Sequence, residues 1–266
     1  MTQITFLGTC GGRFATIYQT RSTGGIYIRD SINMVIDPGP GAILRIKEYE
    51  IEPTTIDLLL ISHCHPDHYT DADVMVEAIT RGGIQKRGAI IASESVINGI
   101  EGFDPKVSKY HLSRIEKVIT AKAGENHLIE GVNITTTPTI HTDPSGVGFK
   151  IQTKSGVVTY TSDTSIDDDV PDSYMGSRIL ILALTTPIGI KLNHHLSPED
   201  AVTILKKVQP EKALLTHFGL RAINSGPESI AEWIQQRSGI ETIAAEDGMI
   251  IEIGEDIEIK KSLKPP

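Results

Sequence analysis

The stretch that decides the fold runs from residue 56 to residue 68 and reads IDLLLISHCHPDH. Its first half is a continuous apolar run, the pattern of a strand covered on both faces, because a strand with one wet face would alternate apolar and polar residues. Its second half crowds His63, His65, Asp67 and His68 into the loop that follows. Neutral imidazole and carboxylate suit zinc and similar divalent ions, and a loop at a strand end can turn several side chains toward one point while the strand fixes the backbone. A lone histidine is more often structural than functional. Four ligand-type residues in one short loop point instead to a metal site.

Outward from this loop, the upstream sequence is β-rich. QITFLGTCGG is an alternating strand running into glycines, and GGIYIRDSINMVIDPGPGA reads as two strands joined by a polar turn, with a short helical pattern over 42–50. Downstream, the spacing predicts a helix over 70–81 and a buried strand at GAIIAS. The stretch 101–130 is the least regular and the richest in lysine, and reads as a partly helical excursion that could form a lid or insertion. After it, VNITTTPTIHT, VGFKIQT and VVTYTSDTS form a second antiparallel meander of β-branched runs. RILILALTT, KALLTHF and ETIAAEDGMIIEI then alternate with helices starting at Ser197 and near Pro227, as in βα units. Ser197, Pro198 and Asp200 form a clear helix start, which places His195 just before a helix.

No low-complexity linker divides the 266 residues, so residues 1–266 read as a single domain large enough to bury a continuous core. With 25 basic against 34 acidic residues, the net charge of −9 supplies no overall attraction for nucleic acid or anionic lipid. The densest basic group, Lys106, Lys109, Arg114, Lys117 and Lys122, is diluted by acidic and apolar residues. The chain shows no basic-then-apolar leader and no apolar run near the roughly 20 residues that span a bilayer, so a cytoplasmic protein without a membrane partner is expected. Two cysteines, Cys10 and Cys64, are too few for a disulfide framework or a cysteine zinc site. Cys64 reads as a small apolar filler between ligands.

HCHPDH resembles the His-x-His-x-Asp-His motif of the metallo-β-lactamase superfamily, and the other motifs of that family follow in order. Asp37 in VIDPGPGA, His141 in PTIHTD, Asp163 in YTSDTS and His217 in LLTHFG each follow a β-like run. The resemblance implies an αββα sandwich, two mixed β-sheets flanked by helices. It implies further that His63, His65 and His141 hold one divalent ion, that Asp67, His68 and His217 hold a second, and that Asp163 bridges them. Zinc fits best, with manganese and iron also accepting such ligands. Asp67 would in addition be a catalytic carboxylate. Asp37 reads either as the carboxylate behind the ligands that holds the motif loop or as a turn former before Pro-Gly.

Two ions about 3.5 to 4 Å apart can activate one water and spread the charge that develops on the attacked group. In the antibiotic-degrading members of the superfamily a cysteine characteristically takes the place of Asp163, and flavo-diiron reductases have Glu where this chain has Pro66. Both branches are disfavoured. The chain is most similar to the phosphodiesterase branch, which includes ribonuclease Z and the cyclic phosphodiesterase of phosphonate metabolism. ITFLGTCGGRFATIYQTRSTGG resembles the opening of that branch, with Arg21 either a phosphate contact or an ordinary surface arginine. HHLSPEDAVTILKKVQPEKALLTHFGLR resembles its segment in which a histidine precedes the last ligand. His195 takes that place, and could donate a proton to the leaving oxygen or bind and orient the phosphoryl group.

LALTTPIGI replaces the His-Glu-Ala-Thr segment of ribonuclease Z, and no tRNA-grasping arm is evident. A small cyclic or nucleotide-like phosphodiester therefore fits better than nucleic acid. The alternatives are a thiolester or lactone hydrolase of the glyoxalase II or lactonase type, a tRNA 3′-processing endonuclease, and a metal-bound regulatory binding module without turnover. A homodimer is compatible with the reading.

Overall fold

The computed structural model describes residues 1–260. It contains strands β1 (Thr2–Phe6), β2 (Ile26–Arg29), β3 (Asn33–Ile36), β4 (Leu58–Ile61), β5 (Arg87–Ser93), β6 (Ile115–Ala121), β7 (Asn126–Ile129) and β8 (Val132–Pro138). They are followed by β9 (Val147–Thr153), β10 (Gly156–Tyr160), β11 (Ile179–Ala183), β12 (Lys212–Thr216), β13 (Thr242–Ala244), β14 (Ile250–Ile253) and β15 (Ile257–Lys260). One sheet has the order β15-β14-β1-β2-β3-β4-β5-β6 and the other β13-β12-β11-β10-β9-β8-β7. Both are mixed: β1, β2 and β3 pair antiparallel and β3 to β6 parallel, whereas β7 to β10 pair antiparallel and β10 to β13 parallel.

Side-chain alternation explains the layers. Along β3 and β4, Met34, Ile36, Leu58 and Leu60 face the second sheet, where Phe149, Ile151, Ile179 and Ile181 meet them in one buried cluster. The intervening Val35, Leu59 and Ile61 face the other way, against Ala42 and Ile46 of helix Ala42–Glu48 and Met75, Val76 and Ile79 of helix Ala72–Ile79. Leu180, Leu182 and Leu215 do the same on the far side, covered by Ile204 and Leu205 of helix Pro198–Val208 and Ile230 and Ile234 of helix Pro227–Ser238. The four-layer αββα sandwich expected from the sequence is thus observed, and the uninterrupted LLLI of β4 is apolar because both its faces are covered.

The stretch 101–130 holds helix Lys109–Arg114, edge strand β6 of the first sheet and edge strand β7 of the second, and so carries the chain between the sheets. Its alternation is weak because edge strands are partly exposed. ETIAAEDGMIIEI is not one strand. It breaks at Glu246–Gly248, β13 ending the second sheet and β14 returning beside β1 to pair with β15.

Candidate metal centre

All the candidate ligands follow strand ends on one edge of the sandwich. β4 delivers His63, His65, Asp67 and His68; β8 leads to His141, β10 to Asp163 and β12 to His217. Asp37, Ser162 and His217 adopt positive φ (51°, 57° and 62°), a conformation costly for side-chain-bearing residues that lets the chain turn sharply as it leaves β3, β10 and β12.

The donor atoms fall into two groups. His65 Nδ1 lies 3.0 Å from both His63 Nε2 and His141 Nε2. His217 Nε2 lies 3.1 Å from His68 Nε2 and 3.2 Å from Asp67 Oδ2. Between them sits Asp163, with Oδ1 3.2 Å from His217 Nε2 and Oδ2 3.7 Å from His68 Nε2 and 3.9 Å from His141 Nε2. The structure thus brings together every residue named as a ligand.

The donor set fits divalent ions. The outward ring nitrogen of each of four imidazoles faces an oxygen: His63 Nδ1 the Ser62 hydroxyl (3.0 Å), His68 Nδ1 the Asp37 carboxylate (2.8 Å), His141 Nδ1 the His194 carbonyl (2.9 Å) and His217 Nδ1 the Thr185 hydroxyl (3.2 Å). A ring that donates outward turns a bare nitrogen inward, where several lone pairs converge on the same small space. Asp163 Oδ1 is also buried without a hydrogen-bond donor, an arrangement that a cation would relieve. Burial pushes the imidazoles of His63, His65 and His141 below their ordinary pKa and keeps them neutral. Burial opposes ionisation of Asp163 as well, but His217 and His68 outweigh it and hold its carboxyl well below the usual range.

Behind the donors, Asp37 accepts from Ser62 N and Ser62 Oγ, both at 2.7 Å, as well as from His68, so this carboxylate orients the His68 ring and holds the motif loop. Replacing Asp37 with Asn is expected to weaken metal affinity about 10- to 100-fold, measured by competition with a chelator. Unchanged affinity would reduce Asp37 to a turn residue. Asp143, which the sequence reading passed over, fixes the same loop from the opposite side by accepting from Cys64 N (3.0 Å), Ser95 Oγ and Ser145. Its place in HTDPSG reads locally as a turn, so only the long-range contacts disclose its role. Cys64 packs into the apolar layer beneath the helices, as expected of a filler.

The glycine turn after β1 closes the other side. Gly12 N donates to Asp67 Oδ2 at 2.8 Å, and a Cβ at Gly11 would sit 2.1 Å from the His217 ring. Gly11→Ala must therefore displace His217. The expected result is that affinity at the Asp67, His68 and His217 group falls by about tenfold or more while the other group is less affected. Elemental analysis showing both equivalents retained would contradict it.

His195 is brought to the site. Its Nδ1 lies 3.6 Å from Asp163 Oδ2 and 3.2 Å from Thr185 Oγ1, a hydroxyl shared with His217. Ser197 and Asp200 form the expected capping box of the following helix. Arg21 is not brought there. Its guanidinium donates to Ala245 O at 3.0 Å and lies 3.6 Å from Glu228, over the Phe218 ring, so its charge is engaged by groups other than the candidate ligands. The residues over the cluster are instead helix Arg13–Tyr18 and the loop from Thr185 to Leu192, which line a cleft of about 980 Å³ together with His65, Asp67, His141, Asp163 and His195. The exposed turn of helix at 13–18 lacks an apolar repeat long enough to be read in advance.

The fold and this ligand cluster define a metallo-β-lactamase-type protein, and the Beta-lactamase superfamily domain matches residues 32–218: the chain belongs to that family. An uncharacterized protein of Methanocaldococcus jannaschii is 41% identical, with 94% of this chain and 95% of that protein covered. A UPF0173 metal-dependent hydrolase of Methanopyrus kandleri is 25% identical over 82% of this chain and 91% of its own. Among solved structures, the metallo-β-lactamase fold protein YhfI of Bacillus subtilis has a TM-score of 0.77 at 20% identity, covering 94% of this chain and 98% of that one. A diphosphatase of the PhnP family has a TM-score of 0.69 at 19% identity, covering 96% and 98%. Among the described residues no helix is long and apolar enough to cross a membrane.

Proposed function

We propose that the protein is a binuclear metal-dependent hydrolase that cleaves a small phosphodiester in the cytoplasm. The observation that carries this reading is the convergence of seven His and Asp side chains in two groups with Asp163 between them. Zinc suits this nitrogen and oxygen set best, with manganese and iron as the other fits. Two such ions, when bound, supply an activated water and Lewis-acid stabilisation of the attacked group. The chain's own residues do the rest. Asp67, a member of the second group, is held by Gly12 N and lines the cleft, where its ionised carboxylate can accept a hydrogen bond from the activated water and orient it. His195 stands on the cleft side of Asp163, outside both expected ligand groups, where it can meet a leaving oxygen or a phosphoryl oxygen. Thr185 fixes the angle of that ring.

Likeness of fold to a PhnP-family diphosphatase and of sequence to proteins named metal-dependent hydrolases supports the reading. The cysteines Cys10 and Cys64 are free and buried, in keeping with a reducing compartment. The deciding assay compares bis-p-nitrophenyl phosphate with S-lactoylglutathione and acyl lactones on metal-loaded protein. Turnover of the diester alone is expected. Turnover of the thiolester or lactones alone would replace this reading with carboxyl-ester chemistry.

A further inference from the structure

The cleft over the metal ligands is larger and more apolar than a small cyclic phosphodiester requires. Its volume, about 980 Å³, is near the upper end of small-molecule sites, roughly 300 to 1,000 Å³. One wall is helix Arg13–Tyr18 and the other the loop Pro187–Leu192. These walls present Phe14, Ile17, Pro187, Ile190, Leu192 and, from a neighbouring helix, Leu220. Phe14 is 67% exposed, Ile17 70% and Leu192 50%, so large apolar side chains stand in water at the entrance. Such a patch marks a surface that something apolar covers. Arg13 and Arg221 line the same cleft, and among the described residues neither has a carboxylate in ion-pair contact.

We infer that the substrate is an amphipathic phosphodiester: an anionic head that reaches His65, Asp67, His141, Asp163 and His195 under the charge of Arg13 and Arg221, and an aliphatic arm that lies between Phe14 and Ile17 on one side and Ile190 and Leu192 on the other. The inference rests on the phosphodiesterase reading above and narrows its substrate class. Two features select this occupant over a second copy of the chain. The apolar walls are continuous with the ligand cluster, so whatever covers them also reaches the reacting centre, and the unpaired arginines complement a phosphate rather than another apolar face. The aliphatic side chains of Ile17, Pro187, Ile190, Leu192 and Leu220, which outnumber the single ring of Phe14, favour an alkyl arm.

The test is titration calorimetry of zinc-loaded protein with methyl, butyl and octyl phosphate, kept below micelle-forming concentrations. Each methylene buried adds up to about fourfold in affinity, so octyl phosphate is expected to bind at least about tenfold more tightly than butyl phosphate. The double variant Phe14→Ser, Ile17→Ser, at two exposed positions, should reduce that ratio to below about threefold. Replacing Arg13 and Arg221 with Ala should weaken all three ligands together. Equal affinities along the series, or a chain-length dependence that survives the double variant, would overturn the inference. So would a wild-type dimer that the double variant makes monomeric without any chain-length effect, since the patch would then belong to a second copy. Failure of the phosphodiesterase reading looks different: bis-p-nitrophenyl phosphate is not hydrolysed, yet the chain-length dependence of binding remains.

Discussion

Asp163→Ala is expected to lower hydrolysis of every ester substrate by roughly 10³-fold or more, equivalent to about 4 kcal/mol of barrier. The reason lies in the position of this carboxylate, one oxygen 3.2 Å from His217 Nε2 and the other within 4 Å of His68 and His141. Its loss removes the carboxylate that lies between the two groups and leaves His68 and His217 facing each other across 3.1 Å with one anion fewer. A readout independent of catalysis is available. An ion that binds only the native state raises stability, by about 2.7 kcal/mol at a hundredfold excess over its Kd. Wild-type protein should therefore melt higher with added zinc, and the variant should lose much of that rise while its metal-free melting temperature changes less. Full retention of two equivalents of metal with normal turnover would remove Asp163 from its proposed bridging place.

How much of this was legible in the chain depended on whether each role has a local pattern. The strand before the motif loop could be read because burial on two faces writes an unbroken LLLI, and helix Pro198–Val208 because Ser197, Pro198 and Asp200 mark its start. Of the candidate ligands, His63, His65, Asp67 and His68 stand out by crowding into one loop, whereas His141, Asp163 and His217 look ordinary singly and are legible only through the resemblance to the ordered motifs of the superfamily. Arg21 stays ambiguous in sequence because a guanidinium looks alike whether it faces phosphate or, as here, Ala245 O and Glu228, and those acceptors lie more than 200 residues away. Asp143 and Thr185 escaped for the same reason: an Asp before Pro and a Thr at a strand end are ordinary locally, and only tertiary folding gives the first the amide of Cys64 and the second the rings of His195 and His217. Edge strands β6 and β7 were unreadable because exposure blurs their alternation.

His195 should respond in a different way from the ligands. The ring is outside both groups of ligands expected to hold metal, so His195→Ala is expected to keep both equivalents of metal. If the ring delivers a proton to the departing oxygen, the rate with a diester bearing a poor, alkoxide-like leaving group should fall by roughly 10²- to 10⁴-fold. With p-nitrophenolate, which departs without a proton, the loss should be much smaller. Burial bears on this choice, because it lowers the pKa of the ring below that of an ordinary histidine and favours the neutral form. A neutral ring can still bind: the Thr185 hydroxyl faces Nδ1, leaving Nε2 free to donate a hydrogen bond to a phosphoryl oxygen. That role would weaken both substrates alike. The two roles therefore separate on leaving-group dependence measured at constant metal content. Equal losses for good and poor leaving groups would make His195 a group that binds and orients substrate and would end the case for proton donation, whereas loss of metal from the variant would place His195 among the ligands, where its 3.6 Å approach to Asp163 already brings it close.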